Sequence, residues 1–195
     1  MQAAEIELKF TVADVTGFAA KAESAGFTLV TPRLFESNTL YDTPDRTLRH
    51  RTELLRIRQY GERCTLTHKR VPDHVDPASR FKTRVETETI VSDGEALAEV
   101  FTRLGYGPVF RYEKYRTEWD AEDGHLVLDE TPIGVWAELE GRPEWIEAML
   151  ERLHVDNDAC STSSYGSLFL AWKKETGSPA ENLTFDEIGM ATVGS

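Results

Sequence analysis

The chain has 195 residues and a mass of 22.0 kDa, with 40% hydrophobic and 29% charged residues. This length and composition allow a sizeable hydrophobic core and exclude an intrinsically disordered protein. The net charge of −12 argues against a protein that coats nucleic acid or an anionic membrane. The charge is unevenly spread, however, because residues 1–116 carry a net charge of +1 and residues 117–195 carry −13. Basic residues are therefore concentrated in residues 1–116, and an anion-binding site can form there although the whole chain is acidic.

Two cysteines, Cys64 and Cys160, are too few for a disulfide framework and lack metal-ligand spacing, so we interpret them as free thiols. The sequence begins MQAAEIELKF, without the basic segment and apolar stretch of a secretory signal. No apolar run approaches the roughly 18 residues of a membrane span. We therefore expect a cytoplasmic protein that binds neither membranes nor nucleic acid.

Hydrophobic periodicity predicts alternating strands and helices in the first half of the chain. A strand over residues 4–12 is followed by a helix that Asp14 caps. Further strands are predicted over residues 28–42, 54–60, 63–70 and 81–91. The segments 43–53 and 71–80 show neither the two-residue repeat of a strand nor the 3.6-residue repeat of a helix, and they are interpreted as loops.

The same alternation continues in the second half. Asp93 is expected to cap a helix that ends near Gly105, and Asp123-Gly124 predicts a hairpin turn. Strands are predicted over residues 108–120, 124–130 and 134–141. The sequence thus contains eight predicted strands.

Two helices and a tail complete the predicted organisation. Pro143 suits the first turn of a helix, and Ser161 or Ser163 is expected to cap the last one. The chain then becomes polar and aperiodic. We therefore predict one domain over residues 1–175 and a polar, flexible tail over residues 176–195.

Charged residues recur at alternate positions of the predicted strands. Because residues i and i+2 of a strand share a face, Glu5, Glu7 and Lys9 lie on one face of the first strand. The other strands repeat this pattern at Arg56, Arg58, Lys69, Arg84, Glu86, Glu88, Lys114, Arg116, Asp129, Glu138 and Glu140. One such strand is typical of a sheet with a solvated face, but the whole set favours a twisted sheet that closes into a barrel with its charges inside.

A barrel lumen lined by both signs of charge has a specific chemistry. Arginine forks and lysine ammonium groups bind phosphate oxygens, which suits a polyanion. Carboxylates would repel that anion unless a divalent cation such as Mg²⁺ or Mn²⁺ lay between them. The mixture therefore indicates a metal–phosphate complex rather than a bare anion.

An ordered set of motifs identifies a family. The segments are EIELK at 5–9, YDTP at 41–44, LRIR at 55–58, LTHK at 66–69, RVETE at 84–88, KYR at 114–116, LDE at 128–130 and ELE at 138–140. Over about residues 3–173 the chain resembles the CYTH superfamily, the triphosphate tunnel metalloenzymes. The stretches at 110–116 and 128–141, with Ser164-Tyr165, are most similar to class IV adenylyl cyclases.

The resemblance implies an α+β fold, a closed antiparallel eight-stranded β-barrel with a charged lumen and helices packed outside. It also implies that the triphosphate is bound by Lys9, Arg56, Arg58, Lys69, Arg84, Lys114 and Arg116. Lys9, Lys69, Lys114 and Arg116 are the residues it assigns to catalysis. One or two Mg²⁺ or Mn²⁺ ions would be held by Glu5, Glu7, Asp129, Glu138 and Glu140. Glu86 and Glu88 either bind metal or pair with neighbouring cations, and the sequence leaves both readings open.

Three activities are compatible with such a tunnel. The resemblance favours an adenylate cyclase that converts ATP to cyclic AMP and pyrophosphate. The alternatives are a hydrolase of inorganic or thiamine triphosphate, and a non-catalytic polyphosphate or nucleotide sensor. The expected partner is a small-molecule triphosphate, and the resemblance is compatible with a homodimer. Arg46, Arg49 and Arg51 precede the third strand and either guide an anion to the tunnel or form a solvated turn.

Overall fold

A computed structural model of the protein describes residues 2–74, 76 and 78–189. Its main feature is a closed antiparallel barrel of eight long strands. The strands are β1 (Gln2–Thr11), β2 (Thr28–Asp42), β3 (Leu54–Tyr60), β4 (Arg63–Arg70), β5 (Lys82–Ile90), β6 (Gly107–Ala121), β7 (Gly124–Thr131) and β8 (Gly134–Glu140). All eight were predicted from the sequence, each to within two residues at either end. A short ninth strand, β9 (Cys160–Ser161), also pairs with β1.

Hydrogen bonding closes the barrel. The strands follow the order β5-β4-β3-β2-β6-β7-β8-β1, and pairing between β1 and β5 joins the two ends. Glu7 lies at the junction, opposite Lys82 on one side and Glu140 on the other. The predicted closed antiparallel barrel is therefore confirmed, and its closure brings charged residues of β1, β5 and β8 together.

Helices cover the outside of the barrel. They are α1 (Val15–Ser24), α2 (Thr47–His50), α3 (Gly94–Arg103), α4 (Pro143–Arg152), α5 (Tyr165–Thr176) and α6 (Phe185–Ile188), with a 3₁₀ turn at Asn157–Ala159. The predicted caps Asp14 and Asp93 accept the backbone N–H of Gly17 at 3.0 Å and of Ala96 at 2.9 Å. Among these helices, none combines the length and apolar character that a membrane crossing requires.

Three local predictions were wrong. Helix α5 is capped by Ser164 rather than Ser161 or Ser163, because a cap must directly precede the first helical residue. The β6–β7 turn is formed by Glu122 and Asp123, one residue earlier than predicted, with Glu122 in the left-handed region at φ 55°. The loop over residues 43–53 contains the short helix α2.

The main hydrophobic core lies between the barrel and helices α1 and α4. Leu8 of β1, Leu126 of β7 and Leu139 of β8 point outward and are almost completely buried. Ile146 and Leu150 of α4 pack against them. Because side chains alternate along a strand, burial of these apolar residues on the outside forces their polar neighbours into the lumen.

A second core joins α5 and the following segment to β6. Phe169 and Leu183 pack with Tyr112, and Leu183 is fully buried. Leu183 N also donates to the carbonyl of Arg111 at 3.0 Å, and its carbonyl accepts from Glu113 N at 2.9 Å. Leu183 is thus held against β6 by burial and backbone hydrogen bonds, whereas the domain boundary at residue 175 and the flexibility of the tail over residues 176–195 stay predictions. Residues 190–195 lie outside the described residues.

Candidate functional site

The barrel encloses a polar tunnel with a cavity of about 330 Å³. Twelve of the fourteen site residues predicted from the sequence line it, namely Glu5, Glu7, Lys9, Arg56, Arg58, Lys69, Glu86, Glu88, Lys114, Arg116, Glu138 and Glu140. Asp129 is buried in the tunnel wall, and Arg84 lies at the rim, where it lines an adjoining cavity. The period-2 pattern therefore brings the predicted set together because every strand contributes its inner face.

Asp129 anchors the ion pairs of the tunnel wall. Its carboxylate accepts hydrogen bonds from Lys114 Nζ at 2.8 Å, from Tyr165 Oη at 2.6 Å, and from Arg116 Nε and Nη2 at 2.7 and 2.6 Å. Burial alone would raise the pKa of Asp129, but Arg116 and Lys114 hold it well below its ordinary value. Its oxygens are thus engaged by cations and a hydroxyl group. The metal-ligand role expected for Asp129 remains a prediction.

Glu138 is also paired with cations. It contacts Lys9, and Arg116 Nη2 lies 3.4 Å from its carboxylate. Lys9 Nζ also lies 4.0 Å from the centre of the Tyr165 ring. Burial lowers the pKa of Lys9 to about 7, against the opposing effect of Asp129 and other carboxylates. A further negative charge in the lumen would therefore stabilise the protonated form of Lys9.

Glu36 is a buried residue of the site that was not predicted from the sequence. Its carboxylate is fully buried and lies 3.3 Å from Lys114 Nζ, with Arg58 and Arg116 at 3.9 Å. Asn38 Nδ2 donates to it at 2.8 Å. Burial opposes ionisation, yet Lys114 and the two arginines lower the pKa of Glu36 to about 2. Glu36 is therefore an internal counterion for three phosphate-binding candidates.

A signal for Glu36 was present in the sequence. Glu36, Asn38 and Leu40 alternate on β2 as the charged residues do on the other strands. The same alternation, extended along the other strands, reaches further polar tunnel residues that were not predicted, namely Lys82, Tyr112, Glu118 and His125. Tyr165 is different, because it enters the lumen from helix α5 and no strand pattern could find it.

Glu86 and Glu88 form ion pairs in this structure. Lys69 Nζ lies 2.9 Å from Glu86 and 2.6 Å from Glu5, so it bridges the two carboxylates. Arg58 Nη2 donates to Glu88 at 3.1 Å. Glu86 and Glu88 thus pair with cations in this structure, and the alternative that they bind metal stays a prediction.

Three carboxylates converge to form what we call the acidic cluster: Glu5, Glu7 and Glu140. Each offers an oxygen within 4.8 Å of the others. Burial, together with Glu5 and Glu7, raises the pKa of Glu140. Lys82 and Lys9 lower the pKa of Glu7 to about 2 although burial opposes this. Several carboxylate oxygens at one point are the donor set that Mg²⁺ and Mn²⁺ prefer, so these residues fit the divalent cation that the family resemblance implies.

The YDTP segment has a structural role at the tunnel mouth. Asp42 is buried at the end of β2 and accepts backbone N–H groups of Thr43 at 2.8 Å, Leu48 at 2.9 Å and Arg49 at 3.0 Å. These bonds fix α2 beside the mouth. Arg46 and Arg49 consequently line the cavity next to the tunnel.

The chain is similar to known proteins in sequence and in structure. A protein from Methanocaldococcus jannaschii named “putative adenylate cyclase” is 27% identical over 172 residues, which span 83% of this chain and 95% of the relative. A “putative adenylate cyclase” from Vibrio parahaemolyticus has the same fold, with a TM-score of 0.71, 20% identity and coverage of 85% of this chain and 97% of that one.

A third protein has the same fold, and its description names a different activity. It is a “putative adenylyl cyclase” from Hippeastrum described as having a dominant triphosphatase activity. Its TM-score is 0.62 at 19% identity, with coverage of 88% of this chain and 96% of that one. Finally, the sequence model of the CYTH domain matches residues 3–142, which is more than half of the chain and includes the acidic cluster and the tunnel cations. The protein therefore belongs to the CYTH domain family, the triphosphate tunnel enzymes.

Proposed function

We propose that this protein is a metal-dependent adenylate cyclase that converts ATP to cyclic AMP and pyrophosphate inside the tunnel. The observation that carries the proposal is the convergence of six cations and the acidic cluster on one enclosed cavity. The cations are Lys9, Arg56, Arg58, Lys69, Lys114 and Arg116. The name of the M. jannaschii relative supports the choice of reaction.

The tunnel residues have separate tasks in this proposal. The arginines offer paired N–H donors to phosphate oxygens, and the lysines neutralise charge as compact ammonium groups. Arg56 is held by Tyr112 Oη at 3.1 Å and Thr67 Oγ1 at 3.2 Å, so its guanidinium group is oriented before a ligand arrives. Such preorganisation lowers the cost of binding a triphosphate in one conformation.

The reaction itself requires little covalent help from the protein. The 3′-hydroxyl oxygen of the ribose forms a bond to the α-phosphorus, the bond from that phosphorus to the bridging oxygen breaks, and pyrophosphate leaves with the hydroxyl proton released. A divalent cation bound at Glu5, Glu7 and Glu140 would supply neutralisation of phosphate charge. The chain's cations hold the phosphate groups in line, and the closed barrel wall restricts access of water from the sides.

Hydrolysis of the terminal phosphate is the second candidate. The same cations and carboxylates would serve it, with water in place of the ribose hydroxyl as the attacking group. The triphosphatase activity described for the Hippeastrum protein, which has the same fold, favours this candidate.

Product analysis separates the two candidates. The purified protein is incubated with ATP or with tripolyphosphate, in Mg²⁺ or Mn²⁺, and the products are identified by chromatography and phosphate assay. We expect cyclic AMP and pyrophosphate from ATP. Orthophosphate from tripolyphosphate, with no cyclic AMP from ATP, would instead establish the hydrolase. Tight binding of both compounds without any product would overturn both and indicate a sensor.

A further inference from the structure

Tyr112 is a neutral residue among the cations of the tunnel. It lies on β6 two residues before Lys114, and it lines the tunnel although it is only 7% exposed. Arg56 Nη1 lies 3.1 Å from its hydroxyl oxygen. Because a guanidinium group carries donors and no acceptor, Arg56 donates this hydrogen bond and Tyr112 accepts it.

The hydroxyl group of Tyr112 also has a proton of its own to donate. Among the residues that the structure describes, the bond from Arg56 is the one side-chain hydrogen bond of Tyr112 Oη, so that proton has no acceptor there. Arg56 Nε, on the same guanidinium group, is likewise buried without a partner in the described part of the chain. A buried donor without an acceptor costs free energy. The Arg56–Tyr112 pair thus presents two unused donors in the tunnel wall.

Tyr165 provides a contrast within the same site. Its ring stacks on that of Tyr112, with centroids 5.9 Å apart and planes inclined by 27°. Tyr165 Oη donates to the Asp129 carboxylate at 2.6 Å, so its single proton is already used. Of these two stacked tyrosines, Tyr112 is therefore the one that can donate to a ligand.

The position of Tyr112 is fixed by its surroundings. Leu183 packs against it and bonds to the backbone on both sides of it, donating to the carbonyl of Arg111 at 3.0 Å and accepting from Glu113 N at 2.9 Å. The Phe110 ring stacks on it at 6.0 Å. The hydroxyl donor is thus held in place before a ligand arrives, which reduces the conformational cost of binding.

The charges around Tyr112 favour an anionic acceptor. Burial raises the pKa of its hydroxyl group, but Arg56 and Lys114 outweigh burial and lower that pKa overall. A hydroxyl group that accepts from a cation is polarised and becomes a stronger donor. Hydrogen bonds to an ionised acceptor are roughly twice as strong as those between neutral groups. A phosphate oxygen, attracted by the same two cations, is the acceptor that fits this donor best.

We propose that Tyr112 is a phosphate-binding residue, which donates its hydroxyl proton to a phosphate oxygen of the substrate while it accepts a hydrogen bond from Arg56. This inference rests on the proposed function and adds a neutral donor to a site whose predicted phosphate ligands are all cations. Because Tyr112 contacts the phosphate groups, its contribution is the same for ATP and for tripolyphosphate.

The test compares Tyr112→Phe with Thr67→Val. Thr67 Oγ1 is the other acceptor of Arg56, at 3.2 Å, but it already donates its own proton to Glu88 at 2.8 Å. Thr67→Val therefore shows how much affinity depends on the orientation of Arg56 alone. Tyr106→Phe is the matched control for the loss of a tyrosine hydroxyl group, since Tyr106 lies outside the tunnel beside Phe101.

Dissociation constants for ATP and tripolyphosphate are measured by calorimetry with EDTA present, so that turnover does not interfere. We expect Tyr112→Phe to weaken the binding of both ligands by about 10–100-fold, the effect of one hydrogen bond to a charged group. Thr67→Val should weaken binding by less than about threefold, and Tyr106→Phe should change neither constant. Equal losses in Tyr112→Phe and Thr67→Val would overturn the proposal, since Tyr112 would then act through Arg56. A loss for ATP but not for tripolyphosphate would also overturn it.

A measurement on the wild-type protein does not depend on the folding of a variant. The tyrosine Cζ resonances, assigned through the backbone, are followed by NMR as tripolyphosphate is added in EDTA. We expect the Tyr112 resonance to shift more than that of Tyr165, whose proton is already donated to Asp129. An unchanged Tyr112 resonance at saturation overturns the role of Tyr112 while the tunnel function stands. If the wild type binds neither ligand, with or without Mg²⁺, the proposed function itself fails.

Discussion

Replacement of Glu36 by glutamine should have opposite effects on folding and on anion binding. Glu36→Gln preserves the size of the side chain but replaces one of its two acceptor oxygens by an NH2 donor and removes a fully buried negative charge that faces Lys114, Arg58 and Arg116. The three cations then repel one another without this counterion, which destabilises the folded protein. The same change raises the positive potential of the tunnel, so triphosphate should bind more tightly.

The size of the folding effect follows from the pKa of Glu36. A shift from the usual 4.5 to about 2 corresponds to roughly 3 kcal/mol of stability at neutral pH. Because the folded-state pKa is lowered, this contribution is present above about pH 4.5 and is lost as the pH falls towards 2. We therefore expect Glu36→Gln to reduce the free energy of unfolding by about 3 kcal/mol at pH 7, and by progressively less below pH 4.5.

Urea unfolding at pH 7 and pH 3, followed by circular dichroism, measures this difference. The control is Glu99→Gln, which removes an exposed i,i+4 partner of Arg103 and should cost no more than about 0.5 kcal/mol. Tripolyphosphate added at pH 7 should restore more stability to Glu36→Gln than to the wild type, since an anion then replaces the missing charge. An equal loss at both pH values, or equal stabilisation of the variant and the wild type by tripolyphosphate, would contradict the counterion role of Glu36.

Three other substitutions test separate parts of the site. Tyr165→Phe removes the hydroxyl that donates to Asp129, and we expect urea unfolding to show a loss of about 1.5–3 kcal/mol, the range for hydrogen bonds to charged groups; an unchanged midpoint would contradict this. Asp42→Asn weakens the capping of α2 and should cost about 1 kcal/mol at pH 7. Because the pKa of Asp42 is lowered, the difference in unfolding free energy between the variant and the wild type should shrink as the pH falls into the acid range. A difference that is independent of pH would exclude a charge effect. Glu5→Gln should reduce turnover in Mg²⁺ by roughly 10–100-fold while tripolyphosphate affinity in EDTA is retained; loss of that affinity would instead identify Glu5 as a residue needed to build the anion site.

Much of the barrel was predictable because its determinants are local. In a strand with a two-residue repeat, a short stretch of sequence is enough to show which face is apolar. Leu8 and Lys9, for example, can be assigned to opposite faces of β1 without knowledge of the rest of the chain. The tunnel cations follow from the same alternation once the sheet is assumed to close. Asp14 and Asp93 were predictable as caps for a similar reason, since a cap contacts the backbone only three residues away.

Pairing between distant residues was not predictable from such windows. Asp129 and Glu140 are both carboxylates on the inner face, yet Asp129 faces Lys114 and Arg116 whereas Glu140 faces Glu5 and Glu7. This difference is set by strand register and by the closure of β1 on β5, which no single segment encodes. The burial of Leu183 against β6 was not predictable, because a single apolar residue in a polar stretch shows no periodicity.

The pairing of Lys69 with Glu5 and Glu86, and of Lys82 with Glu7, has a thermodynamic consequence. The barrel carries its own counterions, so binding of an external anion to these lysines is an exchange in which carboxylates lose their partners. Those released carboxylates include two members of the acidic cluster, whose affinity for a cation then rises. By reciprocity a cation bound at the acidic cluster would strengthen anion binding by the same factor, so the two proposed ligands of opposite sign would bind cooperatively. The same internal neutralisation makes affinity for the anion alone modest and less sensitive to salt than that of an exposed basic surface.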